Sequence, residues 1–193
     1  MPQAIHYERL IIGYHGCDKA VAEDVLLNGA SLKLSENQYD WLGQGIYFWE
    51  YGPKRAMDWA VFQKTRGKVN EPCVLGAFIH LRRCFDLTDT TATDMLAAWH
   101  GRLKQAEDAG SIRLPENKRA ADGADLLLRY LDCFVFNWGL KELADAGHGY
   151  QTVRGVFVEG PPAYAGSGVM TKTHVQVAVR DPACILGFFR PTD

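Results

Sequence analysis

The sequence predicts an α+β fold, in which strands from both ends of the chain form one sheet around a helical middle. Apolar or alternating segments typical of strands occur up to residue 87 and again after residue 152. Residues 91–146 are instead typical of helices, and we interpret them as a helical insert between the two halves of the sheet. With 193 residues, the chain is predicted to form a single domain over residues 1–193, whose core needs no disulfides.

The first third of the chain is predicted to run strand, helix, loop, strand, helix. Glu8–His15 is an apolar run typical of a strand. Asp18 is a good N-cap for a helix that Asn28-Gly29 would end. After a polar loop, Ile46–Trp49 is predicted as the second strand. Gly52-Pro53 then starts a second helix, because proline suits the first turn.

The middle of the chain is predicted to begin with a strand and continue in helices. Cys73–Leu81 is an apolar run typical of a strand. A helix is predicted from about Asp94 to Ala109. Ala124–Phe136 and Leu140–Ala146 are predicted as two helices, interrupted at residues 137–139. This insert contains no recognisable motif, so we assign its aromatic and leucine side chains to packing.

The last third contains two predicted strands, separated by a loop rich in glycine, alanine and proline. Val153–Glu159 is the first of them, and strict alternation from His174 to Arg180 predicts the second. The valines at 175, 177 and 179 point to one face of that strand and serve the core. The opposite face therefore serves either solvent or a site, and it carries His174, Gln176, Ala178 and Arg180.

Composition narrows the classes of function. The net charge of −2 argues against a strongly basic nucleic-acid binder, although a local basic patch is compatible with that average. No apolar run of about 18 residues and no signal-peptide pattern occur, so we expect a cytoplasmic protein without a membrane partner. Five scattered cysteines without a Cys-x-x-Cys pair argue against structural zinc and disulfides, and we expect no metal. Cys17 lies either at the rim of a site or in the core.

Two short motifs carry the functional hypothesis. Tyr14-His15-Gly16 ends the first predicted strand, and such a glycine lets a ligand lie against bare backbone. Gly43-Gln44-Gly45-Ile46-Tyr47-Phe48 places an aromatic hydroxyl after two glycines, where a flat ring can stack. The alternative interpretation is a core histidine and a core tyrosine on two strands.

In this order and spacing, the two motifs resemble the NAD-binding signature of the ADP-ribosyltransferase superfamily, in its poly(ADP-ribose) polymerase-like and diphtheria-toxin-like branch. The resemblance covers Tyr14 to about Ala60 and resumes from Thr173 to Phe188. It implies a split, mostly antiparallel sheet of six or seven strands with NAD in the cleft between its halves. It also implies that His15 holds the adenosine ribose and Gly16 the nicotinamide amide, while Tyr47 stacks on nicotinamide.

Two departures from the family pattern concern the nicotinamide side. The helix after Tyr47 has Lys54 and Arg55 where the family has a serine, and Trp59 is offset from the family's second stacking aromatic. Trp59 is therefore either the second wall of the pocket or a core residue.

The third signature residue of the family is a glutamate, and the alignment places Gln176 there, so that a His-Tyr-Gln replaces His-Tyr-Glu. An amide can bind the ribose 2′-hydroxyl but supplies no negative charge for the oxocarbenium-like state. Glu159 on the neighbouring predicted strand is the candidate surrogate. Arg154 and Arg180 are candidate contacts for a pyrophosphate or an acceptor phosphate, or ordinary surface arginines.

The resemblance implies a mono-ADP-ribosyltransferase that uses NAD as co-substrate and modifies a macromolecular acceptor, either protein or nucleic acid. A role as a toxin or defence effector, with an antitoxin or other regulatory partner, is compatible with it. The alternatives are a catalytically silent module that binds NAD or ADP-ribose and an NAD glycohydrolase. An NAD-dependent RNA 2′-phosphotransferase shares the fold, but its active face would be more basic.

Overall fold

A computed structural model describes residues 6–119 and 126–192, and within them six strands and four α-helices form an α+β fold. The strands are β1 His6–Asp18, β2 Ile46–Glu50, β3 Pro72–Asp86, β4 Thr152–Phe157, β5 His174–Val179 and β6 Ile185–Phe189. The helices are α1 Lys19–Asn28, α2 Pro53–Thr65, α3 Thr90–Asp108 and α4 Tyr130–Asp145, with a 3₁₀ turn at Pro182–Cys184. The coarse α+β prediction agrees with this architecture. Over these same ranges, every helix is too short or too polar to cross a membrane.

The six strands form one mostly antiparallel sheet in the order β1-β2-β5-β4-β3-β6. β3 and β4 pair in parallel through residues 84–86 and 152–154. β1 also pairs with β3 along most of its length. Five strands (β1, β2, β5, β4 and β3) therefore close into a ring, and β6 pairs with the outer edge of β3.

The predicted start and end of α1 and the predicted start of α2 are confirmed. The Asp18 carboxylate accepts a hydrogen bond from the backbone N–H of Ala20, and so caps α1. Gly29 ends the helix in the left-handed conformation, with φ 70°, which glycine adopts without a steric penalty. Pro53 is the first residue of α2.

The predicted break at residues 137–139 is wrong, because α4 runs without interruption from Tyr130 to Asp145. Gly139 serves helix packing instead, since a Cβ there would lie 2.1 Å from the indole ring of Trp99 on α3. Residues 126–129 precede the helix, whereas positions 124 and 125 of the predicted segment lie outside the described residues.

Two hydrophobic cores lie on opposite faces of the sheet. The first fills the ring and extends under α1, and it contains Ile11, Phe48, Leu75, Ile79, Val177 and Val179. The second lies between the outer face of the sheet and the helices α3 and α4, and it contains Phe85, Trp99, Phe136, Val153 and Ala178. Both faces of β5 are therefore covered around Val177 and Ala178, which are fully buried.

An ion triad is buried among the strands. The guanidinium of Arg154, 8% exposed, donates from Nε to Glu50 at 2.6 Å and from Nη1 to both carboxylate oxygens of Asp86 at 3.1 and 3.2 Å. Glu50 also accepts from Arg9 at 3.0 Å. Because each buried charge has an opposite partner, the triad ties β2, β3 and β4 together without leaving a charge uncompensated.

Candidate functional site

The two motifs meet through a side-chain hydrogen bond. Nδ1 of His15 lies 2.8 Å from the backbone carbonyl oxygen of Tyr47. A carbonyl only accepts, so Nδ1 carries the proton and donates. Burial lowers the pKa of His15, which keeps the ring neutral near pH 7 and leaves Nε2 as an acceptor.

Tyr47 is half-buried, and its hydroxyl is used within its own loop. The hydroxyl donates to the carbonyl of Gly43 at 2.6 Å and accepts from the N–H of Leu42 at 2.8 Å. Its ring packs against the second core. Burial raises the pKa of the phenol well above its ordinary value, so the side chain is a neutral ring that also shapes the glycine loop.

Helix α4 braces the same loop. Oδ1 of Asn137 accepts from the N–H of Gln44 at 2.8 Å, and a Cβ at Gly43 would lie 2.6 Å from that oxygen. Gly43 has φ 75°, a region that favours glycine. The helical insert, in which the sequence revealed no motif, thus holds the loop that precedes Tyr47.

Gly16 is buried because helix α2 packs directly against it. A Cβ at this position would lie 2.0 Å from the carbonyl oxygen of Ala56. The absence of a side chain is therefore explained by a close approach between strand and helix. Its role toward a nicotinamide amide stays a prediction.

Gln176 lies beside the tryptophan of the neighbouring strand, because Gln176 pairs with Trp49 in the register between β2 and β5. Its Nε2 lies 3.0 Å from Nε2 of His174, and Nδ1 of that histidine lies 2.7 Å from the carbonyl of Lys172. His174 must donate from Nδ1, so its neutral Nε2 accepts from the amide group of Gln176. This arrangement turns the amide oxygen of Gln176 away from the histidine, as an acceptor for a hydroxyl.

Three aromatic side chains surround His174, and we call these four residues, together with Trp59, the His174 cluster. The ring centroids of Trp41, Trp49 and Phe157 lie 6.1, 6.5 and 5.8 Å from that of His174. Trp59 on α2 joins the group through Trp49, at 6.2 Å. Period two along β2 places Trp49 on the face of Tyr47, but its contact with His174 depends on a strand register that the sequence did not reveal.

Charged groups lie at the edge of the His174 cluster. Glu159 is 7% exposed, accepts from Nη2 of Arg55 at 3.0 Å and lies 3.5 Å from Nδ1 of His174. The guanidinium of Arg129 covers the Trp41 ring at 4.2 Å. Burial, together with the positive charges of Arg55 and Arg129, lowers the pKa of His174. The cluster thus joins a neutral imidazole, a paired carboxylate and flat aromatic surfaces.

Two buried donors near Trp59 lack a protein acceptor. Nε1 of Trp49 and Nε of Arg55 make no hydrogen bond within the part of the chain that the structure describes. Such donors are costly when left unpaired, and a ligand oxygen would satisfy them.

The structure divides the predicted site residues between two faces of the sheet. Tyr14 pairs with Trp49, so alternation along β1 directs His15 to the face opposite Trp49, Tyr47 and Gln176. His15 lines an open groove along α1, together with Val21, Asp24, Leu32 and Lys68. Its hydrogen bond to the Tyr47 carbonyl connects the two faces.

The remaining candidates have internal partners. Arg154 belongs to the buried ion triad, and its guanidinium is engaged by two carboxylates. Arg180 donates from Nη1 to the carbonyl of Gln44 at 3.0 Å, next to the glycine loop. Cys17 is buried in the first core, and burial raises the pKa of its thiol to about 12, which makes it a poor nucleophile.

Comparison with protein-family models, with curated proteins and with solved structures found no match. In residues 6–119 and 126–192, no three histidine, cysteine or acidic side chains lie close enough to hold a metal ion.

Proposed function

We propose that this chain has an ADP-ribosyltransferase-like fold and transfers ADP-ribose from NAD to a macromolecular acceptor. The observation that carries this proposal is the 2.8 Å contact between His15 and the Tyr47 carbonyl. Two motifs 32 residues apart in the chain are thereby joined, in the order that the resemblance requires. Tyr47, Trp49 and Gln176 then follow on adjacent strands of one face.

The donor and acceptor groups fit the polar atoms of NAD. The amide oxygen of Gln176 is an acceptor suited to a ribose hydroxyl on the face that carries Tyr47 and Trp49, and Nε2 of His15 is a second acceptor on the opposite face. The unpaired donors on Trp49 and Arg55 are suited to a carboxamide or phosphate oxygen. Trp59, 40% exposed, offers an aromatic surface for a flat ring.

In the proposed reaction, the bond between C1′ of the ribose and the nicotinamide nitrogen breaks, and its electron pair leaves with nicotinamide. A nucleophilic atom of the acceptor forms the new bond to C1′ and loses its proton to solvent. Positive charge at C1′ favours a nearby anion. Glu159 is the carboxylate at the edge of the His174 cluster, but its pairing with Arg55 weakens its field. We therefore expect slower turnover than a glutamate at position 176 would give.

The test is incubation of the protein and a cell lysate with NAD labelled on the adenylate side, with free nicotinamide measured in parallel. We expect label in a macromolecular fraction, its loss in Tyr47→Ala and Gln176→Ala, and its retention in the control Tyr39→Ala. Circular dichroism of each variant separates lost chemistry from lost folding. Absence of both nicotinamide release and label with folded wild-type protein would contradict the proposal.

A catalytically silent NAD-binding module is the second candidate. It is favoured by the amide at position 176 and by the ion pair that compensates Glu159. Calorimetry with NAD distinguishes the two, because a silent module would bind NAD and release no nicotinamide.

A further inference from the structure

Helix α2 carries a stripe of aromatic and basic side chains that begins at the proposed NAD site with Arg55 and Trp59 and continues beyond it to Phe62 and Arg66. Arg55, Trp59 and Phe62 lie along one face of the helix, and Arg66 at its C-cap continues that face at intervals of four, three and four residues. The rings of Trp59 and Phe62 lie 5.8 Å apart, and the guanidinium of Arg66 covers the Phe62 ring at 5.7 Å. We call these four residues the α2 stripe.

The α2 stripe leads from the interior to the surface. Trp49 in the His174 cluster is 6% exposed, Trp59 next to it is 40% exposed and Phe62 is 49% exposed. Large aromatic side chains exposed side by side on a helix are unusual unless they contact a partner. The flat surfaces are therefore continuous from the His174 cluster to solvent.

The charge of this region differs from that of the rest of the chain. Residues 51–68 contain five basic residues and one acidic residue, whereas the remaining chain contains 16 basic and 22 acidic residues. The single acidic side chain, Asp58, is paired with Lys54 at 2.9 Å. The aromatic surface thus lies within a local positive patch on a chain of negative net charge, and such a patch attracts polyanions.

We propose that the α2 stripe binds single-stranded nucleic acid, which is the acceptor in the proposed reaction. Bases stack on Trp59 and Phe62, while Arg66 and the neighbouring lysines contact phosphates. Unstacked bases are recognised in this way by proteins that combine aromatic side chains with a basic surface. A strand on the stripe is directed toward Trp49 and so toward the site where nicotinamide leaves. This inference rests on the proposed function for the identity of the reaction, but the binding itself does not.

A second copy of the chain fits the surface less well. In a two-fold symmetric dimer the stripe would face its own copy, and the arginines and lysines of both would repel one another. A protein acceptor with an acidic, apolar segment is a different class of partner. Label from NAD that enters only protein would identify it.

The test uses fluorescently labelled single-stranded DNA and RNA of about 12 nucleotides, a length within the usual site size, with a duplex of the same sequence for comparison. Binding to the full chain is measured by anisotropy without NAD. We expect single strands to bind at least about tenfold more tightly than the duplex, and the DNA and RNA arms to show which sugar is preferred.

Phe62→Leu removes the ring but keeps an apolar side chain, and we expect it to weaken single-strand binding at least about fivefold. Phe62→Trp should preserve binding. Arg66→Ala should weaken binding. It should also reduce the slope of the logarithm of the binding constant against the logarithm of the salt concentration by about one, since one phosphate contact is lost. The matched control is Phe134→Leu, which changes a phenylalanine 37% exposed on α4 and should leave binding unchanged.

Loss of the nucleic-acid acceptor is distinguishable from loss of the transferase reaction. Release of nicotinamide with no single-strand binding, or with label only in protein, would overturn the nucleic-acid acceptor and leave the transferase standing. Equal losses for Phe62→Leu and Phe134→Leu would also overturn it. Concentration-dependent dimerisation that Arg66→Ala abolishes would assign the α2 stripe to a second copy instead.

Discussion

The imidazole of His15 donates to the carbonyl oxygen of Tyr47 at 2.8 Å, just beyond the point where backbone pairing between β1 and β2 reaches Tyr14 and Trp49. The His15 side chain thus connects β1 to β2 beyond the last pair of residues that the two strands share in their backbone pairing. This contact, together with the backbone pairing of Tyr14 with Trp49, positions Tyr47 relative to the first strand. Substitutions of the residues around it therefore test both the fold and the proposed chemistry.

The hydroxyl of Tyr47 is predicted to matter for stability more than for ligand binding. Tyr47→Phe keeps the ring but leaves the N–H of Leu42 and the carbonyl of Gly43 without their partner. We expect the free energy of unfolding in urea to fall by about 1–3 kcal/mol, with NAD affinity changed less than about threefold. The control is Tyr39→Phe. A large loss of NAD affinity with unchanged stability would show that the hydroxyl contacts the ligand.

Gln176→Glu is predicted to accelerate nicotinamide release. The carboxylate would add negative charge beside His174, where the proposed reaction develops positive charge. We expect the rate at saturating NAD to rise at least about tenfold, and Gln176→Ala to lower it. Gln38→Glu, on an exposed loop, is the matched control. A rate that falls in Gln176→Glu while NAD still binds would contradict the assigned role.

Stability is predicted to decrease as the pH falls below about 6.5. Burial lowers the pKa of both His15 and His174 from the ordinary value of 6.5, so the unfolded chain binds more protons than the folded one just below that value. Each histidine then removes up to about 1.4 kcal/mol per pH unit, until the pH reaches its folded pKa.

Urea unfolding between pH 7.5 and pH 5 measures this dependence on pH. Around His174, Glu159 opposes the loss while Arg55 and Arg129 favour it, so the net slope reports their balance. His174→Gln should lower the number of protons taken up on unfolding by about one, and so reduce the slope. An unchanged slope in His174→Gln would show that this histidine titrates equally in both states.

Removal of the Arg154 side chain is predicted to destabilise the fold strongly. Arg154→Met leaves Glu50 and Asp86 buried with their main partner gone, which typically costs about 3–5 kcal/mol. Arg113→Met, at an exposed arginine, is the control. Adding Glu50→Gln and Asp86→Asn to Arg154→Met should recover part of the loss. Urea unfolding of the single variant at the wild-type midpoint would contradict this assignment.

Local signals in the sequence were sufficient for much of the fold. The Asp18 cap, the start of α2 at Pro53 and the alternation of β5 depend on neighbours within a few residues, and these elements form where the sequence placed them. The break predicted at 137–139 is wrong because Gly139 is needed for the close packing of α4 against the Trp99 ring, which is distant in the sequence. A glycine required by tertiary packing is indistinguishable in sequence from one that ends a helix.

The candidate site was less accessible to sequence reasoning. The sequence motifs identified His15, Tyr47 and Gln176 as site residues. The neighbours of Gln176, which are Trp49 and His174, depend on the pairing of β2 with β5 and could not be predicted from the motifs. The commitment of Arg154 to Glu50 and Asp86 likewise depends on residues more than 60 positions away. Contacts between residues so far apart in the chain form only when the ring of strands closes, so local sequence patterns do not predict them.

The ring of strands also constrains how the chain acquires its structure. β3 meets β4 only after an excursion of more than 60 residues through α3 and α4, and β5 then fills the gap between β2 and β4. Until β5 is in place, β2 and β4 present bare hydrogen-bonding edges, which are sites for mispairing between molecules. A nascent or truncated chain that lacks His174–Val179 should therefore aggregate, and it would depend on chaperones until its last strands emerge from the ribosome.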